Sequence, residues 1–149
     1  MKYTTNIIIN DEDKICIPRI PYEKPHINIC CDKRIHNSQY IKHILESAKY
    51  LNPTVEIALY CHMMPDLHLI LPHVNELHIT LDSNQDFNDF LDFDNHLSIN
   101  DTNNKKLHLY VTDNISIDNC KPNDLPTIWT VHTYKTSLSK TKPAVIATA

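Results

Sequence analysis

The chain has 149 residues, 42% of them hydrophobic, and a net charge of −4, which fits one domain able to bury about two-thirds of its unfolded surface. The acidic balance and the scattered Lys and Arg leave no electrostatic footprint for nucleic acid. No apolar run approaches the roughly 20 residues of a membrane span, and the polar start MKYTTN lacks the apolar segment of a secretory leader. A soluble, cytoplasmic protein is therefore expected. The five cysteines include no CxxC pair, and those at strand positions, Cys30, Cys31 and Cys61, are expected to be small buried thiols in a reducing compartment.

Residues 1–25 carry short apolar runs and then PRIPYEKP, where Pro18, Pro21 and Pro25 forbid a helix. An edge hairpin or extended lead-in is expected there, followed by an α/β domain over 26–149. Residues 27–32 (INICCD) are too continuously apolar for a half-exposed strand and end in Asp32. After the loop KRIHN, Tyr40, Ile41, Ile44, Leu45, Ala48 and Leu51 fall on one face, predicting a helix over 38–51 capped by Asn37 or Ser38 and ended by Asn52-Pro53.

A strand over 54–61 (TVEIALYC) and a loop over 62–66 come next, then a short strand over 67–71. In 76–81, Leu77, Ile79 and Leu81 alternate with His78 and Thr80. Asp86 is expected to cap a short helix that turns Phe87, Phe90 and Leu91 to the sheet. A buried strand over 107–111 delivers Thr112 and Asp113 to the loop beyond it. The strand over 127–134 carries Trp129 as its largest core residue, and 144–147 supplies a closing strand. This alternation predicts an α/β fold, a doubly wound, mainly parallel, Rossmann-like sheet with helices on both faces. Ligands of such sheets bind beyond the C-terminal strand ends, so Asp32 and Asp113 share one rim if their strands are neighbours.

The chain contains no glycine, where average usage near 7% would supply roughly ten. Asn and Asp best replace glycine in left-handed backbone, which marks Asn52, Asn84, Asn95, Asn103, Asn104, Asn114 and Asn119 as candidates.

The ordered set DKRIH at 32–36, YCH at 60–62, SNQDF at 83–87, YVTDN at 110–114, LPTIW at 125–129 and KPAVIAT at 142–148 resembles the von Willebrand factor A-like (VWA-like) domain at the C-terminus of a bacterial metallopeptidase-like family. The resemblance runs from about Pro18 to the end. It implies a metal-ion-dependent adhesion site in which Asp32 and Asp113 match acidic positions around a Mg²⁺. The serine positions hold Arg34 and His36, and the threonine position holds Gln85, so small oxygen ligands for a hard cation are lost. The site is then degenerate, with no cofactor or only weak Mg²⁺. Asp32, His36 and Asp113 remain candidate metal ligands; Arg34, Gln85, Thr112 and Asp113 are candidate partner-binding residues. A guanidinium bridging Asp32 and Asp113 would stand where the metal stood.

The function so implied is a non-enzymatic interaction module that takes an acidic side chain of a protein partner, without nucleic acid or membrane. Three alternatives stay open. Asp32, His36, His62 and Asp113 offer an N/O ligand set for a Zn²⁺ or Mg²⁺ hydrolase-like site. Lys33 and Arg34, at a helix N-terminus, suit an anion in a nucleotide-binding domain, although the glycines that let backbone approach a pyrophosphate are missing. A glycine-depleted sequence retaining only a fold is the third. The other histidines, including His78, His108 and His132, have no paired ligand spacing along the chain and are expected on polar surfaces.

Overall fold

The structure is a computed structural model that describes residues 4–10, 17–21, 25–112, 114–115 and 128–133. Its frame is a six-stranded sheet, β1 (Thr4–Ile9), β2 (His26–Cys31), β3 (Glu56–Cys61), β4 (Glu76–Leu81), β5 (Lys106–Val111) and β6 (Thr130–Thr133), ordered as in the chain. Every adjacent pair is parallel. The α/β, Rossmann-like parallel sheet expected from the alternation is thus the architecture found. The apolar run of residues 6–9 belongs to β1, an edge strand parallel to β2.

Helix α1 (Ser38–Leu51) follows the predicted bounds, and Asn37 is its cap, its side chain accepting from the backbone N–H groups of Gln39 and Tyr40. Ile41, Ile44, Leu45 and Ala48 form its buried stripe. At its far end Asn52 is almost fully buried. Its amide accepts from Ile20 N–H at 2.7 Å and donates to the carbonyls of Pro18 and Ala48.

Two local expectations need correction. The segment 67–71 is not a strand: Leu67–Ile70 is a helical turn, α2, running into a 3₁₀ turn over Leu71–His73. Asp66 caps it by accepting from His68 N–H, and Leu67, Ile70 and Leu71 fall at helical spacing into the core. The cap of α3 (Asn84–Asn95) is Ser83, whose hydroxyl accepts from Asp86 N–H; Asp86 itself lies in the first turn, where its charge suits the helix dipole. A further turn, α4 (Ile99–Thr102), carries a Ser98–Asp101 capping box.

Residues of one parity face one core. Ile7, Ile29, Leu59, Leu77 and Leu107 stand in register across the sheet, and so do Ile9, Cys31 and then Cys61, Ile79, Leu109 and Val131. They pack with the buried faces of α1, α2 and α3 in a single cluster. Helices on both faces were expected; within the described residues the helical cover lies on this one. Phe90 and Trp129 meet edge to face in the core at 4.8 Å between centroids, and Trp129 Nε1 donates to Asp94 Oδ1 at 2.8 Å. Trp129 therefore is the core residue expected, although it precedes β6 rather than lying in it. The closing strand expected over 144–147 and most of the strand's flanks lie outside the described residues.

Among the described residues only Asn104 has a positive φ, 62°. Asn52 and Asn103 sit at φ −134° and −62°, while Asn84 and Asn95 are helical. Asn119 lies outside the described residues. At Asn52 the residue type is needed for a buried amide with three backbone partners, so an expectation based on backbone freedom alone picked it for the wrong reason.

Phe90→Ala is expected to lower unfolding free energy by about 3–5 kcal/mol. It should also red-shift the emission of Trp129, the single tryptophan, as water reaches the emptied site; denaturant titration followed by fluorescence measures both.

Candidate functional site

The rim beyond the strand ends is built first by β2. Asp32 N–H continues the ladder to Ile9 O at 2.9 Å. Its Oδ1 accepts from Arg34 N–H at 3.0 Å and from Arg34 Nε at 3.2 Å. Those two bonds, backbone first, hold the Asp32 carboxyl below its ordinary range, and His62 adds a weaker electrostatic pull. The Arg34 side chain is 67% exposed. Asp32, Lys33 and His62, with Ile8, Asn10, Cys30 and Cys31, line an open hollow of about 400 Å³.

Further along the rim a carboxylate absent from the candidates, Asp82, takes the central part. Its Oδ1 accepts from Thr112 Oγ1 and from Asn114 Nδ2, both at 2.8 Å. The Thr112 and Asn114 bonds depress the Asp82 carboxyl, with a smaller contribution from Lys33. Thr112 therefore reaches the rim as expected, tied to Asp82. Asp113, the second acidic candidate, lies outside the described residues; the strands that lead to Asp32 and Asp113, β2 and β5, are not the neighbours expected but have β3 and β4 between them, and Arg34 pairs with Asp32. His36 is an exposed loop residue before the cap of α1. Gln85 donates to Asp89 Oδ1 at 3.0 Å along α3.

The face of the sheet away from the helices carries a second arrangement that sequence reasoning missed. Ile8, Cys30, Tyr60, His78 and His108 stand in register on successive strands. The Tyr60 and His78 rings stack at 4.2 Å and 10°, and the His78 and His108 rings at 4.6 Å and 3°. His132 continues the stack from His108 at 5.3 Å and also lies over Tyr110 at 4.5 Å. His78 is buried, not surface-exposed as its polar-face position suggested, because neighbouring rings cover it. Its Nδ1 pairs with Tyr110 Oη and its Nε2 with Glu76 Oε1, each at 3.0 Å. Burial holds the His78 imidazole below its ordinary range, opposed by the Glu76 hydrogen bond. His108 Nδ1 lies 3.0 Å from His132 Nε2.

Among the described residues one group of three or more His, Cys, Asp or Glu side chains brings its ligand atoms together, and it is Glu76, His78 and His108. Asp32, His36 and His62 form no such group. The signal was present in the Leu-His pairs of ELHIT and KLHLY, two strands each with His one place after the first inward Leu. At the N-terminus of α1, the Asn37 side chain occupies the N–H groups of Gln39 and Tyr40 that an anion would use. Among the described residues no helix is long and apolar enough to cross a membrane.

Comparison with known proteins finds no protein-family model, no curated protein and no solved structure that matches the chain.

Because the folded Asp82 carboxyl is depressed, its hydrogen bonds stabilise the fold above the ordinary carboxylate value of about 3.9 and cease to do so as pH falls through the lower folded value. Asp82→Asn is therefore expected to lower the melting temperature at neutral pH by an amount equivalent to less than about 1 kcal/mol, since the site is exposed to solvent. The gap to wild type should close below that range, which melts at pH 7, 4 and 2.5 would follow.

Proposed function

We propose that the chain is a non-enzymatic, VWA-like interaction module that binds an acidic side chain of a protein partner at the rim beside Asp32. The observation that carries this reading is the anchored, exposed Arg34 guanidinium. Its Nε is spent on Asp32, and a side chain held in this way loses less freedom when the rest of its fork closes on a partner carboxylate. The cation stands beside the aspartate that a Mg²⁺ would need, which fits a binding mode without metal or with weak Mg²⁺ alone.

The neighbouring sheet face supports the same reading. Tyr60, half-buried there and stacked on the buried His78, offers a planar, amphipathic ring with few rotatable bonds, the type of side chain enriched where proteins recognise one another. Cys30, Cys31 and Cys61 as free thiols suit a reducing compartment, so a cytoplasmic setting belongs to the proposal.

Selection of displayed peptides on the immobilised full chain tests the reading. Acidic peptides should be enriched, Arg34→Ala should weaken their binding about 10- to 100-fold, and Arg34→Lys should recover only part of it, because an ammonium is a point charge and not a fork. Enrichment of neutral sequences, or acidic peptides that bind Arg34→Ala as well as wild type, would overturn it.

A further inference from the structure

We propose that the open face of the sheet holds a Zn²⁺ site made by Glu76 Oε1, His78 Nε2 and His108 Nε2, separate from the rim and from its partner. One ligand atom from each of these three residues lies within 4.8 Å of the other two. Glu76 Oε1 is 3.0 Å from His78 Nε2 and 4.0 Å from His108 Nε2. A tetrahedral ion with bonds of about 2.0–2.2 Å needs ligand atoms roughly 3.3–3.5 Å apart, and the observed spacings bracket that range. The two imidazole planes are nearly parallel, 3° apart, so each ring must tilt about χ2, the soft terminal torsion, for both lone pairs to meet at one ion.

The surroundings are those of a ligand set and not of a chance cluster. Each histidine directs Nε2 toward Glu76 and has its Nδ1 engaged elsewhere, His78 with Tyr110 Oη and His108 with His132 Nε2. With the proton on Nδ1, His78 donates to Tyr110 and His108 donates to His132, which leaves both Nε2 lone pairs to the ion. Such outer partners fix the tautomer and orientation of metal-bound histidines. In the ion-free state the His78 Nε2–H donates to Glu76 and Nδ1 accepts from Tyr110; on binding, Nε2 loses its proton to solvent, Nδ1 takes one up and turns donor to Tyr110, and the ion sits on Nε2.

The backbone supplies rigidity. Glu76 and His78 share a face of β4 because they are two residues apart, and His78 and His108 are direct partners in the parallel ladder. The side chains are 28%, 9% and 24% exposed for Glu76, His78 and His108, so the ion is half-sheltered and its fourth position is open to water. Two imidazoles and one carboxylate suit Zn²⁺ and not Mg²⁺ or Ca²⁺, which want oxygen.

The full chain, treated with EDTA and dialysed, is titrated with Zn²⁺ by calorimetry and with Co²⁺ by visible absorption. One equivalent of either ion should bind, and the Co²⁺ form should show tetrahedral d–d bands without a sulfur-to-metal charge-transfer band. Tyr110→Phe should weaken binding about 10- to 100-fold, and Glu76→Gln and His108→Ala by at least as much. Asp32→Ala, His62→Ala and Arg34→Ala should leave the titration unchanged, which separates failure of this site from failure of the rim reading. Glu76→Gln preserves side-chain volume at a half-exposed position, so a loss seen there with an unchanged circular dichroism spectrum is loss of a ligand. Absence of a stoichiometric ion in wild type, a thiolate band, or undiminished binding in both Glu76→Gln and His108→Ala would overturn the proposal.

Discussion

Parallel pairing in chain order is the constraint on which the other features depend. Each strand pairs with the strands that precede and follow it in sequence, so residues of one parity line up row by row across the sheet. A parallel connection is right-handed in nearly all proteins, and a chain that always steps to the same side returns over the same face. The cluster that joins α1, α2 and α3 to the inward rows is the outcome. Within the described residues the opposite face is left to its own side chains. Its rings stack at 4.2 and 4.6 Å, close to the spacing of about 4.8 Å that the ladder imposes on neighbouring strands.

That spacing has an electrostatic consequence. Imidazoles one strand apart cannot all be protonated without repelling one another. His78 is held neutral by burial, with His108 and His132 pushing in the same direction and Glu76 opposing them. Tyr60 is likewise kept in its uncharged form, first by burial and then by the charge of Glu76. Among the described residues Glu76 is the carboxylate that faces His78 there. A neutral imidazole keeps a lone pair, which makes this surface chemically different from a solvated patch of the same residues.

How much of this was legible in the sequence depends on the range of the interaction concerned. Ile41, Ile44, Leu45 and Ala48 repeat at helical spacing, and that fixed α1 to the residue; Leu77, Ile79 and Leu81 alternate, and that fixed β4. The segment 67–71 misled because four apolar residues in five show no clear period of their own, and the deciding contact was the Asp66 cap outside it. The histidine row was invisible to linear spacing, since His78 and His108 are 30 positions apart and meet through register. Asp82 was missed for a related reason: its partners Thr112 and Asn114 belong to the next strand's loop. Local periodicity encodes elements, whereas a site made between strands is written in their pairing.

The absence of glycine bears on the rim in the same physical terms. Without a residue that turns freely, strand-to-helix loops must be held by side-chain hydrogen bonds, and Asn37, Asp66 and Ser83 each serve as such a cap. Asp32 and Asp82 are drawn into the same work, one by Arg34 and the other by Thr112 and Asn114. A carboxylate that already accepts two bonds offers a hard cation less than its charge suggests, because those bonds must be given up on coordination. The guanidinium beside Asp32 spends its Nε on that carboxylate and stays mostly exposed. Arg34 is thus the exposed cation of the rim, while the ring-lined face beside it carries the one group of converging His and Glu ligand atoms among the described residues.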